Sequence, residues 1–191
     1  MVRDTLKINL NRKLHSLKFL IIAFLLFLLF TSSTEKKPET FAVATRHHIA
    51  SDIGMGVLEA GGNAVDAAVA VAFALSVVNP SAGNLGGGGF MLIHLAEREE
   101  TIALDYRERA PKKSSQDMFL NAEGNVIKGL SLNSTLSAGI PGTVAGLFYA
   151  IENFGSFEVE SLIKPSIKLA REGFVLSNFQ KKNINKYKKK F

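Results

Sequence analysis

Residues 64–78, AVDAAVAVAFALSVV, constrain the fold more than any other part of the chain. Asn63 ahead of them is a helix-capping residue, and Asp66 stands at the third helical position, where a carboxylate suits the helix dipole. Asn79-Pro80 ends the helix, because the residue before proline is pushed out of helical geometry. A helix that is apolar almost all round cannot lie on a surface. It must be covered on several sides. At fifteen residues, with a carboxylate near one end, it is also a poor membrane span. A span takes about 20 apolar residues.

The neighbouring stretches supply the cover. Ser51 can cap a first helix over DIGMGVLEA, ended by Gly61-Gly62. FMLIHL (residues 90–95) and TIALDY (residues 101–106) read as two strands of an antiparallel hairpin. The connecting AEREE has neither Gly nor Asn, so its turn type stays open. Val144, Leu147, Phe148 and Ile151 fall at helical spacing within GIPGTVAGLFYAIENFG, and Gly155 ends that helix. EVESLIKPSIKLAREGF repeats the pattern, with Pro165 either kinking the helix or marking its first turn. Helices, a hairpin, then helices predict helices layered on an antiparallel sheet: an α/β-layered, α+β fold, not a doubly wound parallel one.

Between the apolar helix and the hairpin lie Gly86, Gly87, Gly88 and Gly89. A phosphate cradle is excluded by the pattern: no Lys-Ser or Lys-Thr follows, and the third position after Gly88 is Met91, not Gly. The run reads as architecture, with bare backbone free to take positive φ and to let neighbouring segments approach closely.

The formal charge of +6 resides at the two ends. Residues 1–18 carry five Lys/Arg against one Asp, and residues 181–191 carry six Lys and no acid. The stretch between them holds twelve basic and sixteen acidic groups, so it has no basic excess for nucleic acid. The basic start precedes FLIIAFLLFLLF, residues 19–30, twelve apolar residues followed by Thr31, Ser32 and Ser33. That length fits a signal-peptide core of about 7–15 residues. No clean Ala-x-Ala site follows, so an uncleaved anchor stays open. Either way the rest of the chain is expected to be exported, to the periplasm or beyond, with no other membrane contact. The organisation is therefore a leader over 1–34, a linker over 35–40, a domain over 41–180 and a solvated lysine-rich tail over 181–191. The chain has no cysteine, and its four histidines lack metal-ligand spacing. No metal or other cofactor is expected.

GGNAVDAAVAVAFALSVVNPSAGNLGGGGFML, LDYRERAP, AGIPGTVAG and LAREGF occur in an order and spacing that resembles the γ-glutamyltranspeptidase (glutathione hydrolase) family, most of all its bacterial members. The resemblance runs over about residues 41–180. It implies an N-terminal-nucleophile hydrolase fold, a four-layer αββα sandwich only partly present in this chain. It also implies a precursor that cleaves itself into a large and a small subunit, and a small-subunit threonine that attacks the γ-glutamyl carbonyl of glutathione or a related amide. The γ-glutamyl group then passes to water or to an amino-acid or peptide acceptor. The physics is that of a hydroxyl nucleophile activated by its own α-amine, with backbone amides stabilising the oxyanion.

By the same resemblance Arg107, the first arginine of the Arg-Glu-x-Ala-Pro motif, binds the α-carboxylate of the γ-glutamyl group. A guanidinium fork can hold a carboxylate in bidentate fashion. Read without the motif, Arg107 is a surface arginine paired with Glu108 or Asp105. Gly86, Gly87, Gly88 and Gly89 are implied to be structural, beside the site. Arg109 stands where the family often has an uncharged residue, and no role is assigned to it. Glu108 and Asp105 are expected to orient Arg107 or to be solvated. His47 and His48 are expected to be structural, and His94 a core or rim histidine.

No segment resembles the family's Thr-Thr-His-x-Ser nucleophile region, and no two of the eight threonines are adjacent. This chain alone is therefore expected to be inactive, and residues 35–191 alone to be poorly soluble. The alternatives are an inactive exported remnant and a cephalosporin-type acylase.

Overall fold

A computed structural model describes residue 18, residues 41–82 and residues 84–188. The leader, its apolar segment 19–30 and the linker 35–40 lie outside the unit described next, which begins at Phe41, and outside the described residues apart from Lys18. Among the described residues no helix is long and apolar enough to cross a membrane.

Helix α1 spans His48–Glu59 and helix α2 Ala64–Val78. The hairpin follows as β1 (Phe90–Leu95) and β2 (Glu100–Asp105), antiparallel, with Phe90 opposite Asp105 and Leu95 opposite Glu100. A short helix α3 (Leu130–Asn133) interrupts a long loop, and α4 (Thr143–Phe154), α5 (Val159–Glu172) and α6 (Asn178–Tyr187) complete the chain. This is one helical layer on one antiparallel sheet, the layered α+β class read from the sequence.

Helix α2 is the centre of the core. Val69, Ala70 and Ala74 have no exposed surface, and α1, α4 and α5 all pack on it. Ile93 from the hairpin, Leu147 from α4 and Leu162 from α5 join the same cluster. The all-round apolar pattern of residues 64–78 thus has its cause in cover from three helices and a strand.

The one charged residue of α2 is also wholly buried. Asp66 closes a capping box: the Asn63 side chain accepts from the N–H groups of Val65 and Asp66, and Asp66 accepts from the Asn63 N–H at 2.7 Å. The carboxylate also accepts from the Ser156 N–H (2.9 Å), the Ser156 hydroxyl (2.5 Å) and the Phe157 N–H (3.1 Å). Burial pushes its pKa up, but the Ser156 hydroxyl and the N–H groups of Asn63, Ser156 and Phe157 together hold it below the ordinary aspartate value. Asp66 therefore ties the start of α2 to the α4–α5 connection, and Asn63 adds a bond from its amide to the Phe154 carbonyl.

One local expectation is corrected, and three further details are filled in. Helix α1 begins at His48, so Ser51 lies inside its first turn and shares a 2.8 Å hydrogen bond with Thr45 Oγ1. Burial of Ala50 against Ala74 and Val78 extends the helix past the better capping residue. The hairpin turn is a 3₁₀ turn over Ala96–Arg98 followed by Glu99 in the left-handed region, φ 49°. Pro165 stands inside α5, which runs through it, anchored on either side by Leu162 and Leu169. The lysine-rich end enters a helix: Ser177 and Gln180 form a capping box that starts α6, and Gln180 Nε2 donates to the Val78 carbonyl at 2.6 Å.

The sheet buries Met91, Ile93 and Leu95 towards the helices. Its other face carries Phe90, Leu92 and His94 across from Asp105, Ala103 and Thr101, all exposed. Phe90 is 65% and Leu92 75% exposed. An open sheet face is usually polar. This one is apolar over half its length.

Candidate substrate-binding site

Three stretches of backbone far apart in sequence meet at the end of β2. Pairing of the two strands continues past Asp105, where the Tyr106 N–H donates to the Gly89 carbonyl at 3.0 Å. On the other side of the glycine run, the Gly87 carbonyl accepts from the N–H groups of Gly142 (2.9 Å) and Thr143 (3.0 Å) at the start of α4. Arg109 and Ile140 exchange two backbone hydrogen bonds, of 3.2 and 2.8 Å. Residues 86–89, 106–109 and 140–143 thus form one knot of main chain.

Proximity requires glycine at positions 88 and 142. A Cβ on Gly88 would lie 2.6 Å from both the Glu108 nitrogen and the Tyr106 oxygen, and a Cβ on Gly142 would overlap the Tyr106 carbonyl. None of Gly86, Gly87, Gly88 and Gly89 has a positive φ, so the conformational half of the sequence argument fails; close approach requires glycine at 88 and crowds 87 and 89, whereas a Cβ on Gly86 would meet only ordinary contact. On the next turn of α4, Gly146 leaves room for the Tyr106 ring. Burial pushes the Tyr106 phenol pKa up.

Held by this knot, Arg107 projects from the end of β2 with 64% of its side chain exposed. Its N–H donates to Asp105 Oδ1 at 3.0 Å, its Nε lies 3.4 Å from Glu108 Oε2, and its Cζ stands 5.9 Å from the centre of the Phe90 ring. Among the described residues no acceptor stands at its two Nη atoms, the end of the fork that grips a carboxylate. The arginine lines a cavity of about 480 Å³ between β2 and α4, together with Tyr106, Arg109, Ile140, Ala145 and Tyr149.

The expected pairing of Arg107 with Glu108 is present, and it engages only one edge of the guanidinium. The structure brings Arg109, to which no role is assigned from sequence, into the same cavity. Tyr106 and the Gly142/Gly146 pair were also missed. Two glycines four apart on a helix do signal a bulky neighbour, but not its identity. His47 and His48 stack at 4.8 Å, with His47 edge-on to Phe174, and both line a cavity that does not include Arg107. His94 lies on the exposed sheet face, its Nδ1 3.1 Å from Thr101 Oγ1. Among the described residues no group of His, Asp and Glu is arranged to hold a metal ion.

The same arrangement of helices and hairpin occurs in solved γ-glutamyltranspeptidases. The Helicobacter pylori enzyme superposes with a TM-score of 0.77 at 47% identity, covering 82% of this chain and 44% of that one. The Pseudomonas nitroreducens enzyme, solved with L-DON, gives 0.73 at 41% identity over 81% of this chain and 47% of that one. The cephalosporin acylase of Bacillus halodurans, at 20% identity and a TM-score of 0.61, shares the fold alone.

The γ-glutamyltranspeptidase family model matches residues 50–191, and the chain belongs to that family. The glutathione hydrolase proenzyme of Pseudomonas sp. (strain A14) is 54% identical over 138 residues, which is 72% of this chain and 24% of that protein. That of Escherichia coli (strain K12) is 46% identical over 145 residues, 76% of this chain and 25% of that protein. The chain thus spans about a quarter of the length of these relatives.

Proposed function

We propose that this chain is the carboxylate-holding part of a γ-glutamyltransferase/glutathione hydrolase. Arg107 grips the α-carboxylate of the γ-glutamyl group through its free Nη edge while Glu108 steadies its Nε. The amide to be cleaved then lies in the cavity between β2 and α4. A threonine hydroxyl from the remainder of the precursor adds to the γ-carbonyl and forms an ester, and its proton leaves with the departing amine. Water or the amine of an amino acid or peptide then takes the γ-glutamyl group from the ester. Substrate, small-subunit partner and export through the apolar leader all belong to this reading.

The observation that carries it is the half-engaged guanidinium at the cavity. A bidentate charge-assisted contact is worth roughly 1.5–3 kcal/mol, or about 10- to 150-fold in binding. In the enzyme assembled from this chain and the rest of its precursor, Arg107→Lys keeps the charge but loses the fork. Steady-state hydrolysis of γ-glutamyl-p-nitroanilide is expected to show KM raised at least about tenfold, with a smaller change in kcat. Unchanged kinetics would remove Arg107 from the site.

A further inference from the structure

Two arginines, Arg107 and Arg109, line the cavity, and they are not equivalent. Glu108 faces the Arg107 Nε, while Asp105 accepts the main-chain N–H of residue 107. Arg109 has no carboxylate or other acceptor at its side chain among the described residues. Its backbone is nevertheless pinned, because the paired hydrogen bonds with Ile140 fix where the side chain starts. Between Asp105 and Lys113 the chain carries Arg107, Arg109, Lys112 and Lys113 against Asp105 and Glu108, so the local field is positive. A positioned cation without a counter-charge, on the wall of a cavity whose other cation is already half engaged, is complementary to a second negative group.

We propose that Arg109 is a specificity-determining residue. It binds a carboxylate on the portion of the bound molecule that lies beyond the γ-glutamyl group, so that this site selects substrates or acceptors with a second anionic end. This deepens the function proposed above and rests on it. The second carboxylate has two sources, the amine that leaves or the amine that accepts. Both present the same chemistry to the guanidinium. In each case Arg107 takes the γ-glutamyl carboxylate and Arg109 the other, and a neutral second half forgoes only the Arg109 contact.

The test uses the assembled enzyme with Arg109→Gln and Arg107→Lys, and two pairs of probes. In the first pair, hydrolysis of γ-glutamyl-p-nitroanilide is compared with that of its ring-carboxylated analogue, γ-glutamyl-3-carboxy-4-nitroanilide. In the second, transfer from the neutral anilide to glycylglycine is compared with transfer to glycylglycinamide. Arg109→Gln is expected to lower kcat/KM for the carboxylated member of at least one pair by roughly tenfold, the low end for a charge-assisted hydrogen bond, and to leave the neutral member unchanged. The pair that responds identifies the source. The neutral probe also reports folding, since a misfolded variant loses both members alike. If Arg109→Gln treats both members of both pairs equally, or is silent in all of them, the inference is overturned. Arg107→Lys is expected to weaken all four reactions. Selectivity lost at Arg109 with no effect at Arg107 would instead overturn the underlying assignment of the γ-glutamyl carboxylate.

Discussion

Asp66→Asn tests the packing scheme most directly. The carboxylate is fully buried and accepts four hydrogen bonds, two on each oxygen. Asparagine keeps one oxygen, which can still serve the N–H groups of Ser156 and Phe157. Its amide nitrogen then faces the Asn63 N–H, donor against donor, while the Ser156 hydroxyl can turn to accept. Three bonds fall from charge-assisted to neutral strength, about 1 kcal/mol each, and the part-buried Asn63 N–H loses its acceptor at about 1–2 kcal/mol. The loss should total about 4–5 kcal/mol, or roughly 8–20 °C in Tm for a domain of this size. Thermal unfolding by circular dichroism, native and variant in parallel, reads the total. Peptide-resolved hydrogen exchange at residues 154–157 reads whether the α4–α5 connection is the part released. The pH dependence has a definite sign. A folded-state pKa below the unfolded value means that the stabilisation is fully present above about pH 4 and is lost as pH falls through the depressed value. Wild type should therefore lose more stability than Asp66→Asn on acidification below pH 4. A variant within about 0.5 kcal/mol of wild type at neutral pH, with the same acid limb, would refute the reasoning.

Other substitutions probe other parts. Gly142→Ala puts a methyl group into the Tyr106 carbonyl and should cost about 2–3 kcal/mol, together with a raised KM as Arg107 shifts; unaltered melting would show that the knot yields easily. Glu99→Gly should raise stability by about 0.5–1 kcal/mol in the same melts, by relieving a left-handed residue in the hairpin turn. Leu92→Lys, on the open sheet face, should increase the soluble yield of the full chain and reduce light scattering, and no change would mean that this face does not drive association. Ser177→Ala removes a hydroxyl that accepts from the Gln180 N–H, and should cost about 1 kcal/mol and loosen α6 in hydrogen exchange.

The helices and hairpin were legible because their signals are local. Asn63 with Asp66, Asn79-Pro80 and Gly155 punctuate the chain wherever the backbone changes course, and the apolar pattern of residues 64–78 required burial before its partners were known. The same sequence could not reveal that Asp66, placed correctly at the start of its helix, also binds Ser156 and Phe157 some ninety positions away. Nor could it fix the hairpin turn, since Glu99 adopts a conformation that its side chain disfavours. At the site, the Arg107 motif was readable from resemblance, whereas the cavity was not. Arg109 joins it only because Ile140 pairs with residue 109 across a long loop, and no periodicity records such a bridge.

The meeting of residues 86–89, 106–109 and 140–143 carries a kinetic consequence. The pocket wall cannot exist until a ribosome has delivered Thr143 and a long intervening excursion has been closed, and such closures are slow compared with helix formation. Helices α1 and α2 draw on contacts local in sequence, whereas the bearing of Arg107 depends on the closed loop. Agents that hasten or stall loop capture should thus alter the yield of competent molecules without altering the helical content formed first.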